Sequence, residues 1–240
     1  MKYKPILIVA GEPFGVFLEI FFNALKNNIF KKPLVLIVSK DLLIKQMKIL
    51  NYNFKINLID ERMIKSDMMN NKSINIINVD FKFSKPFEKI SDKSNDYIKK
   101  CFEKSLNLLN KGLFSGMING PISKKNFLKT KFLGITEYLA YKTGKKSNVA
   151  MLIYNKKLSV CPITTHYPLK NVSKFLSKKR IIEQVKLINN FYIKKLKKKP
   201  RIAITGLNPH CESNYESSEE KQIIIPSIKY LIKRKYNVKG

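Results

Sequence analysis

Short apolar runs alternate with amphipathic segments along this chain, and the alternation limits what it can fold into. The run at residues 5–10 precedes an apolar helical pattern at 16–25. The run at 33–38 precedes a second helical pattern, for which Asp41 is a candidate cap. Buried strands that alternate with helices form parallel sheets whose faces are covered. We therefore predict an α/β protein with a mostly parallel sheet.

The same patterns continue through the rest of the chain. The clearest amphipathic helix covers residues 94–109, and Gly112 is its expected stop signal. A polar stretch at 60–73 is expected to be a surface connection, and a turn at 155–157 to join two strands as a hairpin. Pro226 should kink the last helix or start a new segment. Further strands are expected at 55–59, 74–79, 149–154, 158–163 and 202–205, and helices from Ser123, at 178–198 and at 219–234.

The length and the apolar content allow more than one core. A chain of 240 residues that is 44% hydrophobic can form one large or two small domains. The weakest boundary lies near Thr130, between a Gly-Pro segment and a Gly-Ile-Thr-Glu segment. We predict a first α/β lobe at residues 1–130 and a second at residues 131–240.

The formal net charge of +30 raises the possibility of a nucleic-acid partner. The lysines, however, are spread along the whole chain among many Asn and Ile residues, a bias that codons rich in A and T also produce. The densest run, at 194–201, closes a predicted helix, where cations suit the helix dipole. Nucleic-acid binding is therefore not favoured, although a basic surface can attract a phosphorylated substrate.

Several sequence features indicate a cytoplasmic protein. The longest apolar runs are far shorter than the ~20 residues that span a bilayer. The apolar run at 5–10 is too short for a signal peptide and lacks a small-residue cleavage site after it. The three cysteines, Cys101, Cys161 and Cys211, are scattered and odd in number, which is typical of reduced thiols.

The only two histidines each follow a short apolar run. His166 lies in segment 164–169, Thr-Thr-His-Tyr-Pro-Leu, and His210 ends segment 206–210, Gly-Leu-Asn-Pro-His. Open α/β sheets bind ligands beyond the carboxyl ends of their strands. Both imidazoles are therefore candidate metal ligands or acid/base groups. Hydrogen-bonded loop histidines are the alternative, because two ligands do not complete a metal site.

Two glycine-containing segments are candidate anion sites. Segment 119–124, Asn-Gly-Pro-Ile-Ser-Lys, combines a close backbone approach, a capping Ser123 and the positive charge of Lys124. A structural turn with a solvated lysine is the alternative. Segment 11–15, Gly-Glu-Pro-Phe-Gly, superficially suggests a phosphate loop, but it lacks the three-glycine fingerprint and the Walker lysine. A tight turn that uses the freedom of glycine is the favoured interpretation.

Segment 134–140, Gly-Ile-Thr-Glu-Tyr-Leu-Ala, begins another predicted helix. Helix capping explains Thr136 and Glu137 without any function. Cys211 and Glu212 directly follow the second histidine and could join a metal site, but adjacent residues seldom bind one ion.

Together these segments resemble one family, the 4-hydroxythreonine-4-phosphate dehydrogenases of pyridoxal phosphate biosynthesis, within the isocitrate/isopropylmalate dehydrogenase-like group. Each motif is weak alone, but five in the right order are specific, and the similarity runs from Pro5 onward. The segments that carry it are 11–15 with Glu19-Ile20, 119–124, 134–140, 164–169 and 206–210, extended by Glu219-Glu220 and Ile225-Pro226.

The resemblance implies a homodimer of two-lobed, mostly parallel α/β subunits that use NAD to oxidise 4-phosphohydroxy-L-threonine, after which the keto acid loses carbon dioxide. It implies a divalent metal (zinc, cobalt or magnesium) held by three histidines at the dimer interface, which polarises the reacting oxygen. By the resemblance, His166 and His210 are two of the metal ligands. Thr136 is a substrate-phosphate contact, and Lys124 is a further anion contact.

The chain also departs from the family pattern. Ile135 stands where the family has histidine, so one substrate contact is expected to be lost. The glycine-rich turn expected after His210 is replaced by residues 211–216. Family members are longer, so the third metal histidine, further substrate contacts and much of the NAD site are expected beyond Gly240, and the second lobe is expected to be incomplete. An inactive or split fragment that needs a separate C-terminal piece is the alternative function, and a basic nucleic-acid binder is less favoured.

Overall fold

The computed structural model describes residues 4–62, 64, 69, 71–145, 149–208, 210–211 and 214–240. The chain divides into two compact units, residues 1–130 and residues 131–240. Their assignment as the two lobes of one enzyme stays a prediction. No helix in these described ranges is long and apolar enough to cross a membrane.

The first unit is built on a five-stranded sheet in the order β3-β4-β2-β1-β5. Every neighbouring pair of strands in it runs parallel, as the alternating pattern predicted. Strands β2, β4 and β3 lie on one side of β1, and β5 lies on its other side. The direction in which strands are added therefore reverses at β1. The strands are β1 (Ile6–Val9), β2 (Leu34–Val38), β3 (Ile56–Leu58), β4 (Ile74–Asn78) and β5 (Met117–Asn119).

Three helices cover this sheet: α1 (Phe17–Asn27), α2 (Lys40–Ile49) and α3 (Asn95–Asn110). Successive strand residues point to opposite faces. The side chains on one face of the sheet pack with α1 and α2. Helix α3 packs on β1 and β2. The set on the first face surrounds the fully buried Phe22 and consists of Ile8, Ala10, Leu36, Val38, Ile74 and Ile76.

The start of α2 differs from the expectation. Ser39, not Asp41, is the N-cap residue, and its hydroxyl oxygen accepts the Leu42 backbone N–H at 3.4 Å. Ser39 has the extended backbone of a cap position, whereas Asp41 already lies in the first helical turn. Asp41 therefore acts only through its charge near the helix dipole.

The predicted surface connection at 60–73 lies partly outside the described residues. Met69, within it, is buried. The expected helix stop is confirmed, because Gly112 follows α3 with a φ of 72°.

The second unit has a small helical core. The buried side chains of α6 (Lys178–Phe191) and α7 (Ile225–Lys233) pack together with Val238. A two-stranded parallel sheet pairs β6 (Ile202–Ala203) with β7 (Val238–Lys239), and β7 was not predicted because two residues show no period. The remaining helices are α4 (Ile135–Lys142) and the one-turn α5 (Val172–Phe175).

Pro226 starts a new helical segment, as one of the two alternatives predicted. A π-helix at Glu220–Ile224 precedes it, and the proline stands in the first turn of α7. The backbone is helical at Glu219, Ile224 and Ile225, so the π-helix runs directly into α7 and the proline lies where the π turn gives way to the α-helix.

The hairpin predicted at 149–163 is wrong in its extent. Among the described residues, its two strands reduce to one antiparallel pair, Ile153 and Val160, joined by backbone hydrogen bonds of 2.8 and 3.0 Å. The turn forms, since the Asn155 side chain accepts the Lys157 N–H at 2.9 Å. Ile153 and Val160 are 56% and 53% exposed, so little apolar packing is present to extend the ladder.

Two loops cross closely at the carboxyl ends of β1 and β5. Gly120 donates its N–H to the Val9 carbonyl at 2.7 Å, and Glu12 donates its N–H to the Pro121 carbonyl at 2.9 Å. A Cβ on Gly120 would lie 2.2 Å from the Ala10 carbonyl oxygen and 2.6 Å from the Phe17 ring. A glycine is therefore required at residue 120 for the strands to end side by side.

Gly120→Ala should lower the free energy of unfolding by about 2 kcal/mol, because backbone blocks the added methyl group. Gly116→Ala is the matched control at the other end of β5, where a Cβ would meet open space. Urea denaturation of both variants measures the difference. Equal stabilities for the two variants would contradict the close crossing.

Candidate active site

The turn after β1 is a packed structural turn with a buried acid in it. Glu12 is 4% exposed, and neither of its carboxyl oxygens has a hydrogen-bond partner among the described residues. Burial raises the pKa of the Glu12 carboxyl, and the neighbouring Ser94 hydroxyl and Phe14 amide offset that rise only in part. The environment therefore favours the neutral acid.

The glycines of this turn approach protein backbone. A Cβ on Gly11 would lie 2.3 Å from the Pro121 carbonyl oxygen, and one on Gly15 would lie 3.2 Å from that of Glu12. Gly11 also has a φ of 79°. The residues around segment 11–15 therefore do not fit the phosphates of a dinucleotide, and the tight-turn interpretation describes them.

Lys124 begins the short helix that follows β5. The Ser123 hydroxyl oxygen accepts the Asn126 N–H at 3.2 Å, so the predicted cap is confirmed. The Lys124 side chain is exposed. A role for Lys124 in binding an anion stays a prediction.

Helix α4 presents Thr136 and Glu137 in its first turn. Gly134 is the N-cap residue and the cap has no side-chain hydrogen bond, so the capping interpretation of Thr136 and Glu137 is wrong. Glu137 turns toward segment 164–169 instead, where its Oε1 accepts the Thr165 hydroxyl at 3.1 Å. Its Oε2 is buried and has no hydrogen-bond partner in the described part of the chain. Thr136 is half-buried.

His166 lies beside Glu137. Its backbone has a φ of 57°, which is uncommon outside glycine, and its side chain is exposed. A Cβ on Gly134 would lie 3.0 Å from Glu137 Oε2 and 3.3 Å from His166 Nε2. The two atoms are thus no more than 6.3 Å apart, the sum of those distances. The missing side chain of Gly134 leaves the space that they flank.

The residues after His166 hold this segment in place. The Tyr167 ring stacks on Phe175 with centroids 4.0 Å apart, and the Arg180 guanidinium lies 6.0 Å from the Tyr167 ring centroid. These contacts join the segment to α5 and α6.

His210 is held by a chain of hydrogen bonds from a buried glutamate. Glu220, 4% exposed, accepts the Leu207 N–H and the Asn208 side-chain amide at its Oε1, both at 3.1 Å. Asn208 Oδ1 in turn accepts the His210 backbone N–H at 2.9 Å. The His210 side chain is exposed.

The structure brings His166 together with Glu137, and His210 together with Asn208 and Glu220. Within the ranges that the structure describes, no three His, Cys, Asp or Glu side chains are close enough to share a metal ion. Cys211 is exposed and its backbone has a φ of 55°. Glu212, the other candidate beside His210, lies outside the described residues.

The sequence did not predict the burial of Glu12 or the hydrogen bonds of Glu137 and Glu220. Glu12 lies in a turn and Glu137 in a helix start, where periodicity carries no information about burial. Glu220 contributes to the sequence prediction only as part of the resemblance to the family. The available signal was that Glu12 and Glu137 stand inside candidate segments, in a chain with only 17 acidic residues.

The chain is similar to known proteins along most of its length. The sequence profile of the family described as pyridoxal phosphate biosynthetic protein PdxA matches residues 30–240. A 4-hydroxythreonine-4-phosphate dehydrogenase of Sulfurihydrogenibium sp. (strain YO3AOP1) is 34% identical over 94% of this chain and 70% of that protein. One from Wigglesworthia glossinidia brevipalpis is 32% identical over 96% of this chain and 70% of that protein.

A solved structure agrees with these relatives. The crystal structure of 4-hydroxythreonine-4-phosphate dehydrogenase from Klebsiella pneumoniae matches with a TM-score of 0.84 at 26% identity, and the match covers 99% of this chain and 74% of that one. The predicted fold class and the resemblance drawn from the five motifs are both confirmed.

Glu12→Gln should stabilise the protein at neutral pH by about 1 kcal/mol, because the amide avoids placing a charge in the buried turn. The pKa of Glu12 is raised in the folded state above its ordinary value of 4.5. The unsubstituted protein therefore loses stability as the pH rises from 4.5 through the raised pKa. The gain should therefore disappear below pH 4.5. Urea denaturation across that range measures it.

Glu19→Gln on the exposed side of α1 is the matched control for this change. It removes the same charge without relieving burial, so its effect should be small at every pH. A Glu12→Gln stability difference that does not vary with pH would contradict the buried-acid interpretation.

Proposed function

Because the chain belongs to the family of the pyridoxal phosphate biosynthetic protein PdxA, we propose that it is an oxidoreductase of pyridoxal 5'-phosphate biosynthesis. Its substrate is 4-phosphohydroxy-L-threonine, a small phosphorylated hydroxy-amino acid. The observation that carries this proposal is the extent of the match, which includes residues 30–240 and relatives named for that activity.

We propose NAD as the hydride acceptor and decarboxylation of the keto acid to 3-amino-2-oxopropyl phosphate as the following step. Both rest on the likeness to the family. Segment 11–15 does not fit the phosphates of a dinucleotide, because its glycines lie against protein backbone. The enzyme is proposed to work in the cytoplasm as a homodimer.

His166 and His210 would hold a divalent metal, which is zinc, cobalt or magnesium. When bound, the ion supplies Lewis-acid polarisation of the reacting oxygen. The surroundings of His166 fit a metal-binding imidazole, because a carboxylate oxygen of Glu137 that has no hydrogen-bond partner among the described residues lies beside the ring and can orient it. The exposure of both imidazoles leaves them accessible to an ion.

Thr136 is the proposed contact of the substrate phosphate, and Lys124 is a proposed anion contact. A half-buried hydroxyl in the first turn of α4 can donate a hydrogen bond to a phosphate oxygen, and the N-terminal end of the helix favours negative charge there. Lys124 carries a positive charge on an exposed side chain, which a negatively charged group can approach. Ile135 offers no hydrogen bond to the substrate.

The first test is NADH formation by the purified chain with 4-phosphohydroxy-L-threonine, NAD and added zinc, cobalt or magnesium. His166→Ala and His210→Ala should each lower kcat/KM by about 100-fold or more, because each removes a ligand of the ion. Leu169→Ala, at an 88% exposed residue of the same segment, is the control.

Turnover that survives both histidine substitutions would contradict the proposed metal ligands. An inactive chain beside an active relative would instead favour the alternative, in which a separate C-terminal piece is needed. The chain spans about 70% of the length of the named relatives.

Thr136→Val should raise KM about tenfold, because it removes one hydrogen bond to a charged phosphate group and preserves the shape of the side chain. Lys124→Gln should raise KM in the same direction. Lys125→Gln, at the next exposed lysine, is the matched control. An unchanged KM for Thr136→Val at normal turnover would remove Thr136 from the phosphate site.

A further inference from the structure

One carboxylate oxygen beside His166 lacks the partner that its burial requires. Glu137 Oε1 accepts the Thr165 hydroxyl at 3.1 Å, whereas Oε2 is shielded from solvent and has no hydrogen-bond partner among the residues described. A buried acceptor without a partner is unfavourable, and more so when it carries charge. Such an atom indicates a donor or a cation that approaches it in the working protein.

The nearest available donor is the imidazole of His166. The Nε2 and Cδ2 atoms of that ring lie 3.3 and 3.4 Å from the point where a Cβ on Gly134 would stand, and Glu137 Oε2 lies 3.0 Å from the same point. The ring therefore presents its Nε2 edge to the space that Oε2 borders. Since the His166 side chain is exposed, it is free to rotate toward the carboxylate.

We propose that Glu137 is the positioning residue of His166. Its Oε1 holds the preceding residue, Thr165, and its Oε2 accepts the Nε2–H of the imidazole, which leaves Nδ1 as the nitrogen that faces the ion. The inference rests on the proposed function for the identity of the ion, but not for the pairing of the two side chains. Carboxylates commonly orient metal-binding histidines in this way and fix their tautomer.

The local backbone supports a positioning role. Thr165 and His166 are adjacent, so one carboxylate controls both the loop and the ring. The positive φ of His166 turns the chain sharply at this residue, and the bare Cα of Gly134 provides the room for the pairing. A side chain at residue 134 would occupy the space between Glu137 Oε2 and the imidazole.

The chain allows a direct measurement, because it contains only two histidines. Nitrogen-15 NMR of the histidine rings, recorded on the metal-free and substrate-free full chain at one alkaline pH, reports the tautomer of each ring. Protonation of His166 at Nε2 is expected in the unsubstituted chain. Glu137→Gln should shift the ring nitrogens of His166 and leave those of His210 in place.

Zinc binding by equilibrium dialysis is the second readout. Glu137→Gln should weaken zinc binding about 10-fold to 100-fold, as the loss of an orienting partner does. Glu183→Gln, on α6, removes one carboxylate from the same unit and should change neither readout. Thr165→Val removes the bond to Oε1 alone and should give a smaller shift of the same His166 signals, so a Glu137 variant that failed to fold would not prevent the test.

Unchanged His166 ring signals in Glu137→Gln, or equal shifts of both histidines, would overturn the proposal, because a general structural loss affects both rings. The NMR result does not depend on turnover. A chain that forms no NADH but shows the selective His166 shift would favour the alternative in which a separate C-terminal piece is needed, and would still support the pairing. An active chain without the selective His166 shift would support the proposed function and overturn the pairing.

Discussion

The close crossing of two loops at the carboxyl ends of β1 and β5 is the constraint on which the first unit depends. Strand β1 lies between β2, which follows it along the chain, and β5, which is added on its other side after β4. The crossing requires a bare Cα at Gly120, where any side chain would meet backbone. Because this is where the strand order reverses, the crossing also defines the edge at which α/β sheets bind ligands.

Carboxylates, rather than the abundant lysines, organise the candidate site. Glu220 fixes the turn that carries His210 through Asn208, and Glu137 binds the residue next to His166. Both act on backbone or on small polar groups, which have few other ways to be satisfied when shielded from water. In a chain with a net charge of +30, these few acids are used inside the fold, and most lysines stay in solvent.

Burial affects the glutamates of this protein in different ways. Burial raises the pKa of the Glu12 carboxyl, and the nearby Ser94 hydroxyl and Phe14 amide offset that rise only in part. Glu220 is equally buried but accepts two hydrogen bonds at one oxygen, whereas Glu137 Oε2 has no hydrogen-bond partner in the part of the chain that the structure describes. The residue type is the same in each case. The glutamates therefore differ in hydrogen bonding because the surrounding loops bring different donors to each carboxylate.

The sequence by itself determined the parallel α/β class, the helix stop at Gly112 and the cap at Ser123, because each follows from local periodicity or from the chemistry of one residue. Five ordered motifs also determined the family. Only the tertiary structure decided that Glu137 lies beside His166 and Glu220 beneath the turn of His210, and that residues 149–163 form a single strand pair. These outcomes depend on contacts between segments far apart in sequence, and such contacts leave no periodic signal in the chain.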